Sequence, residues 1–284
     1  MVELRDKKRP WVMKIFCKRI CLFAAPNAVV MILLVGCQTA PVTGRHELNL
    51  VSGSQEMALG LSSFDQLKTN TPINHDPAIN EMVQRVGKKI AAVASKDMPN
   101  AQWEFVVFES KEANAFCLPG GKVGVYTGIL PITKDDAGLA TVLGHETGHA
   151  VAHHGAERMS EAMVLQTGGQ LLGSAMSEKS PAMQSAAMTA YGVGTQVGRE
   201  LPHSRAQESE ADHIGLVYMA RAGYDPKEAV AFWQRFAEFN KQQGGSDSSF
   251  FAKFLRTHPL DEVRIHQLQE WMPEAEAEYQ KSAH

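Results

Sequence analysis

Apolar residues along this chain recur mostly at helical spacing. In HDPAINEMVQRVGKKIAAVAS, positions Ile79, Met82, Val83, Val86, Ile90 and Val93 fall on one face, which predicts a helix opened by Asp76 as N-cap and Pro77 in the first turn. The period then shortens to two. Trp103, Phe105 and Val107 alternate in AQWEFVVFES, and GGKVGVYTGIL follows a Pro-Gly-Gly turn, so two strands are expected with ANAFCLPGG between them. Thr133 is placed to cap a long helix running to Ser160, with Asp135 and Asp136 favourable in its first turn. Residues 160–204 are rich in Gly, Ala, Met, Gln and Ser and read as two short helices joined by a mobile turn, or more sharply as a lid. RAQESEADHIGLVYMARAGYDP reads as a helix ending at Gly223, and Asp225 and Pro226 open the next. A last helix starts within THPLDEVRIHQLQEWM.

The amino terminus breaks this pattern. Arg5, Lys7, Lys8, Arg9, Lys14, Lys18 and Arg19 precede the apolar block LFAAPNAVVMILLVG, which ends at Cys37. Basic residues followed by an apolar run too short to span a membrane is the order of an export signal, with translation starting at Met1 or Met13. The ending LLVGC resembles a bacterial lipobox, so residues 1–36 are expected to be a signal peptide and Cys37 a lipidation site. Polar, turn-rich residues 37–54 then read as a tether. Gln38, rather than an aspartate after the cysteine, favours the outer membrane by resemblance to known sorting.

Composition narrows the possibilities. The chain has 284 residues, 44% hydrophobic, with a net charge of −3; that builds one good core and no electrostatic footprint for nucleic acid. Removing a signal takes seven basic and two acidic residues from the chain's 28 and 31, leaving a net of −8. Of four cysteines only Cys117 would remain unmodified, which excludes an internal disulfide.

The chemistry concentrates in VLGHETGHAVAHHG. Residues four apart on a helix share a face, so His145 and His149 can turn two imidazoles to one ion while Glu146 reaches a water beside it. On a continuous helix His153 lies a turn beyond His149, and His154 is about 180° around from His145; solvation or helix capping is expected of both. Gly144 and Gly148 lower helix propensity and suggest the close approach of another backbone or of substrate. Catalytic zinc needs a third protein ligand. Ala152 and Gly155 exclude the metzincin pattern, which points to ESEAD, where Glu208 and Asp212 again share a face. One of the two would bind the ion and the other would orient a ligand histidine; Glu210 competes but points about 160° away.

HExxH with a downstream ExxAD resembles the gluzincin metallopeptidases of the HtpX/BepA and CAAX prenyl endopeptidase group. CQTAPVTGRHELNLVS, NAFCLPGGKVGVYTGIL, LGHETGHAVAHHGAERMS, SRAQESEADHIGLVYMARAGYDP and THPLDEVR look like its exported soluble branch, in the same order over essentially the whole mature chain. Pattern and resemblance together imply an α+β, mostly helical, zincin-like domain over 55–284, with a small antiparallel sheet beside the HExxH helix. The resemblance implies one zinc per chain on His145, His149 and Glu208, with Glu146 as catalytic base. Asp212 matches the aspartate that supports the site or donates a proton. His258 and Arg264 are candidates to stabilise the transition state, His258 alternatively to cap the zinc. Lys122, Val123, Gly124, Val125 and Tyr126 are expected to form an edge strand to which an extended substrate adds. The expected activity is that of an endopeptidase lipid-anchored on the periplasmic side of the envelope, acting on unfolded or misfolded proteins. The competing reading is a non-proteolytic, chaperone-like assembly factor for outer-membrane proteins, holding clients in the same groove.

Overall fold

The computed structural model describes residues 37–242, 258 and 262–282; the expected signal peptide over 1–36 lies outside them. A hairpin, β1 (Cys37–Thr39) and β2 (His46–Leu48), leads to helices α1 (Gly53–Asn70) and α2 (Pro77–Ala94). Asp76 caps α2 as its position predicts, accepting from the backbone N–H groups of Ala78 and Ile79 at 2.8 and 3.1 Å. Strands β3 (Glu104–Phe108), β4 (Ala115–Leu118) and β5 (Lys122–Tyr126) come next, then the short helix α3 (Leu130–Thr133) and the central helix α4 (Asp136–Val151). Helices α5 (His154–Ala175), α6 (Pro181–Thr195), α7 (Leu201–Arg221), α8 (Lys227–Gln242) and α9 (Glu262–Ser282) complete the order. Among the described residues no helix is long and apolar enough to cross a membrane.

The sheet corrects two expectations. Its order is β3-β5-β4, with β3 and β5 parallel and β4 and β5 antiparallel, so it is mixed rather than antiparallel. Lys122–Tyr126 is therefore the middle strand, hydrogen-bonded on both sides, and cannot serve as the edge. Its composition fits a central place, because Val123, Gly124, Val125 and Tyr126 are all buried and do not alternate. The missed strand is β4, a four-residue segment too short to show a period. It returns to β5 through Gly120 and Gly121, both at positive φ.

The core gathers around α4, whose residues from Gly138 to Val151 are all buried, as befits a helix packed on every side. Its N-cap is Asp135, whose side chain accepts from Gly138 N–H at 2.9 Å. Thr133 is instead buried at the end of α3. Gly144 and Gly148 answer to another backbone: a Cβ on them would stand 2.7 and 2.8 Å from the carbonyl oxygens of Gly215 and Ala211 in α7. The close crossing brings the side chains of α4 and α7 within reach of each other.

Residues 133–160 do not form one helix. His153 takes a left-handed conformation (φ 47°), ending α4 and starting α5 in a new direction. Over 160–204, α5 and α6 are long helices rather than short ones, and α6 buries none of its residues. The expected tether also proves structured. Ala40, Glu47, Asn49 and Val51 are buried, Leu50 N–H donates to Ser160 Oγ at 2.8 Å, and Ser52 with Gln55 forms a capping box on α1. Cys37, the expected lipidation site, pairs through its backbone with Leu48.

Candidate metal and catalytic site

Helix α4 presents His145 and His149 one turn apart, and α7 presents Glu208 and Asp212 opposite them. The Nε2 atoms of His145 and His149 stand 3.2 Å apart. The Glu208 carboxylate lies 3.4 Å from the first and 3.2 Å from the second. Donors around a tetrahedral zinc at about 2.0–2.1 Å are separated by about 3.3 Å, so this triangle fits the ion. His258 stands at a further corner, its Nδ1 3.0 Å from His145 Nε2 and 2.9 Å from Glu208 Oε2. The donor atoms of all four residues lie within 4.8 Å of one another, and all four residues are buried. Three imidazoles and one carboxylate are the donor types that zinc takes.

Electrostatics match these roles for Glu208, His149 and Glu146. At His145 burial is outweighed by hydrogen bonds with Asp212 and Glu208 that push the ring up to about 9, so a metal there would displace its proton. Burial opposes ionisation of Glu208, but hydrogen bonds from His145, His149 and His258 outweigh it and hold the carboxyl far below its usual range. Glu208 is therefore an anion, as a ligand must be. Burial depresses His149 well below its ordinary value and keeps the ring neutral. The same force pushes Glu146 up, against the nearby His258 and His145, towards the range of a working general base. Glu146 Oε1 is buried without a hydrogen-bond partner among the described residues and lies 3.5 Å from His258 Nε2.

The remaining candidates separate into groups in front of and behind the donor atoms. Asp212 Oδ1 accepts from His145 Nδ1–H at 2.9 Å, on the side of the ring away from Nε2. Arg264 Nη2 donates to the same oxygen at 2.7 Å and its Nε lies 2.5 Å from Asp212 Oδ2, while its guanidinium stacks 3.5 Å above the Trp233 ring. Arg264 is thus paired with Asp212, while its Nη2 also stands 3.4 Å from His145 Nε2 and 3.6 Å from Glu208 Oε2. Behind His149 the partner is His154, Nδ1 to Nδ1 at 2.7 Å. His154 is fully buried, contrary to the solvated or capping place expected of it, because the bend at His153 redirects the chain. His153 itself is half-buried and pairs with Glu56 at 2.8 Å. Glu210 is no ligand; it lies 3.0 Å from His154 Nε2. Sequence reasoning missed His154, and Gly155 just after it was the only local sign of a helix boundary.

A cleft of about 520 Å³ opens onto these donors, lined by β4 and its flanks (Asn114–Pro119), Glu56, Tyr126, Glu146, His149, Arg158, Ser204 and His258. Ser204 is the sole described lining residue from 160–204; the first turns of α5 contribute Gly155 and Arg158, and α6 contributes none. A larger cavity of about 720 Å³ lies behind, walled by Arg45, Glu208, Glu210, Asp212 and Arg264. Glu146 does not reach it, which leaves the β4 side as the reactive face.

Residues 77–272 match the family model for peptidase family M48. The chain is 32% identical to the mitochondrial metalloendopeptidase OMA1 of Saccharomyces cerevisiae, over 93% of this chain and 80% of that protein. It is 34% identical to OMA1 of Schizosaccharomyces pombe, over 85% and 68%. Against the beta-barrel assembly-enhancing protease of Escherichia coli the identity is 27%, over 80% of this chain and 46% of that longer protein.

Proposed function

The chain belongs to peptidase family M48 and is a zinc metalloendopeptidase; from that premise we propose that His145, His149 and Glu208 hold one zinc per chain and that Glu146 is the catalytic base. The observation that carries this reading is the triangle of two Nε2 atoms and one ionised carboxylate at 3.2–3.4 Å, with a Glu146 oxygen beside it that makes no hydrogen bond among the described residues.

Bound zinc supplies Lewis acidity, which acidifies a water towards about pKa 7 and polarises a carbonyl. Glu146 accepts the proton of the attacking water and returns it to the amine nitrogen as the peptide C–N bond breaks. Asp212 positions His145 and holds its proton on Nδ1, leaving Nε2 free to ligate. His258, with its Nδ1 beside His145 Nε2 and Glu208 Oε2, would cap the resting site until a substrate takes its place. Among the described residues the outer edge of β4 pairs with no other strand; it lines the cleft and offers backbone groups to an extended peptide, the role expected earlier of β5. Recognition through backbone favours unfolded or extended segments over a narrow side-chain code.

We place this activity at the cell envelope, on the periplasmic side of the outer membrane, tethered through lipid on Cys37, with misfolded envelope proteins as substrates. The export-type leader and lipobox-like LLVGC support this location. So does similarity to a protease named for beta-barrel assembly. The alternative role of client-holding assembly factor needs no base, and Glu146 in its tuned environment favours hydrolysis.

The test is casein cleavage by the purified chain with and without chelator, beside Glu146→Gln. Loss of about 100- to 10,000-fold in rate with zinc retained is expected. Chelator-sensitive cleavage that survives the substitution would overturn the mechanism. Client capture undiminished in Glu146→Gln, with no cleavage by the parent, would favour the assembly factor.

A further inference from the structure

The metal site has a second support that reaches out of the helical core. His149 can bind zinc through Nε2 only if its proton sits on Nδ1. That proton then points at His154 Nδ1, 2.7 Å away, which must be a bare acceptor. The proton of His154 is thereby forced onto Nε2, where Glu210 Oε2 receives it at 3.0 Å. Glu210 in turn accepts from Arg45 Nε at 2.6 Å and from Thr43 Oγ1. Both donors belong to the turn of the β1–β2 hairpin. The other two nitrogens of Arg45 fork onto Glu157 of α5 at 2.8 and 2.9 Å, and Gln207 of α7 steadies the same carboxylate at 2.8 Å. Each hydrogen in the chain has one available position, and none of its members is supplied by α9 or by the substrate face.

We propose that the amino-terminal hairpin completes the metal site: Arg45, acting through Glu210 and His154, fixes the orientation and tautomer of His149 and so sets the affinity for zinc. This rests on the metallopeptidase reading above. Arg45, Glu210 and His154 are positioning residues, since none touches the donor corner or the cleft face of Glu146. Two features of the fold serve this arrangement. The left-handed residue His153 turns His154 back beneath His149, and the close crossing at Gly148 brings Glu210 of α7 to the far side of that ring. Second partners of ligand histidines typically govern metal affinity by about 10- to 100-fold.

The experiment measures zinc affinity of the full chain by competition with a chromophoric chelator, together with urea unfolding of the zinc-free protein. His154→Leu removes both acceptor and donor, and its zinc affinity is expected to fall by about 10- to 100-fold. His154→Gln keeps one acceptor and one donor and is expected to recover most of that loss. Arg45→Ala, a change at a partly exposed side chain, is expected to weaken zinc several-fold without shifting the urea midpoint in proportion. Arg45→Lys is expected to restore part of the affinity. A parent chain that binds no zinc would sink the metallopeptidase reading itself. A parent that binds zinc tightly while His154→Leu and Arg45→Ala match it would sink the relay alone. Should His154→Leu fail to fold, Arg45→Ala decides: unchanged affinity refutes the hairpin's part. Equal losses in His154→Leu and His154→Gln would also refute the proposal, because bulk packing and not hydrogen bonding would then be responsible.

Discussion

The two histidines proposed as ligands sit one helical turn apart, yet their backing differs in kind. His145 leans on Asp212 and Arg264, an ion pair between long core helices in which Arg264 is 5% exposed and sandwiched against Trp233. His149 leans on a second histidine, a glutamate and an arginine whose side chain is 30% exposed, on a hairpin outside the core. The first support comes from elements that the hydrophobic core already fixes. The second exists only where a left-handed bend, a helix crossing and an amino-terminal hairpin meet. The candidate metal site thus combines a half held by the core with a half that depends on peripheral docking.

That contrast predicts unequal responses. Asp212→Ala leaves Arg264 buried without its partner, and a stability loss of about 3–5 kcal/mol is expected, read by urea unfolding, together with weakened zinc binding. Glu210→Ala is milder, about 1–3 kcal/mol, because Arg45 keeps Glu157; a loss as large as that of Asp212→Ala would erase the distinction between the halves. The hairpin side also carries a buried acid with neither oxygen hydrogen-bonded among the described residues, Glu47, which burial pushes up to about 7. Its raised value means that the folded state favours the protonated form. Stability from this group is complete below its unfolded value of 4.5 and is lost as pH rises through 7. Glu47→Gln should therefore stabilise the protein by about 2 kcal/mol at pH 8 and by much less at pH 5. Equal gains at both would show that shape, not charge, matters there. The smallest effect is expected for His153→Asn, which tolerates the left-handed bend. It should change stability by under about 1 kcal/mol and leave zinc affinity intact, since the bend and not the side chain delivers His154.

His258 provides a separate check on the substrate face. If it caps the resting site, His258→Ala raises casein cleavage several-fold by freeing the fourth corner. A fall in rate with zinc still bound would return it to the role of transition-state donor.

Local signals along the sequence were enough to single out residues that the fold brings together. His145, Glu146 and His149 share a helix, as do Glu208 and Asp212, and a spacing of four is decided by helix geometry alone. Asp76 with Pro77, and Gly223 at the end of α7, were legible for the same reason. The errors cluster where geometry is set between elements. His154 looked remote from His145 and His149 because the helix was read as continuous across His153, and no residue type there forbids helix. Lys122–Tyr126 looked like an edge because β4 is too short to display a period, and strand order depends on which neighbours pair. Arg45 lay in what read as a tether, since nothing in a polar segment of that length says that Glu157 and Glu210 await it.

The sequence by itself determined the kind of site: two imidazoles, a neighbouring carboxylate and a second acidic helix, each placed by the repeat of a single α-helix. Only the tertiary structure decided what stands behind and before those groups. That depends on how closely α4 and α7 cross, where α5 turns and which strand faces the cleft, because packing and hydrogen bonding between distant segments leave no periodic trace along the chain.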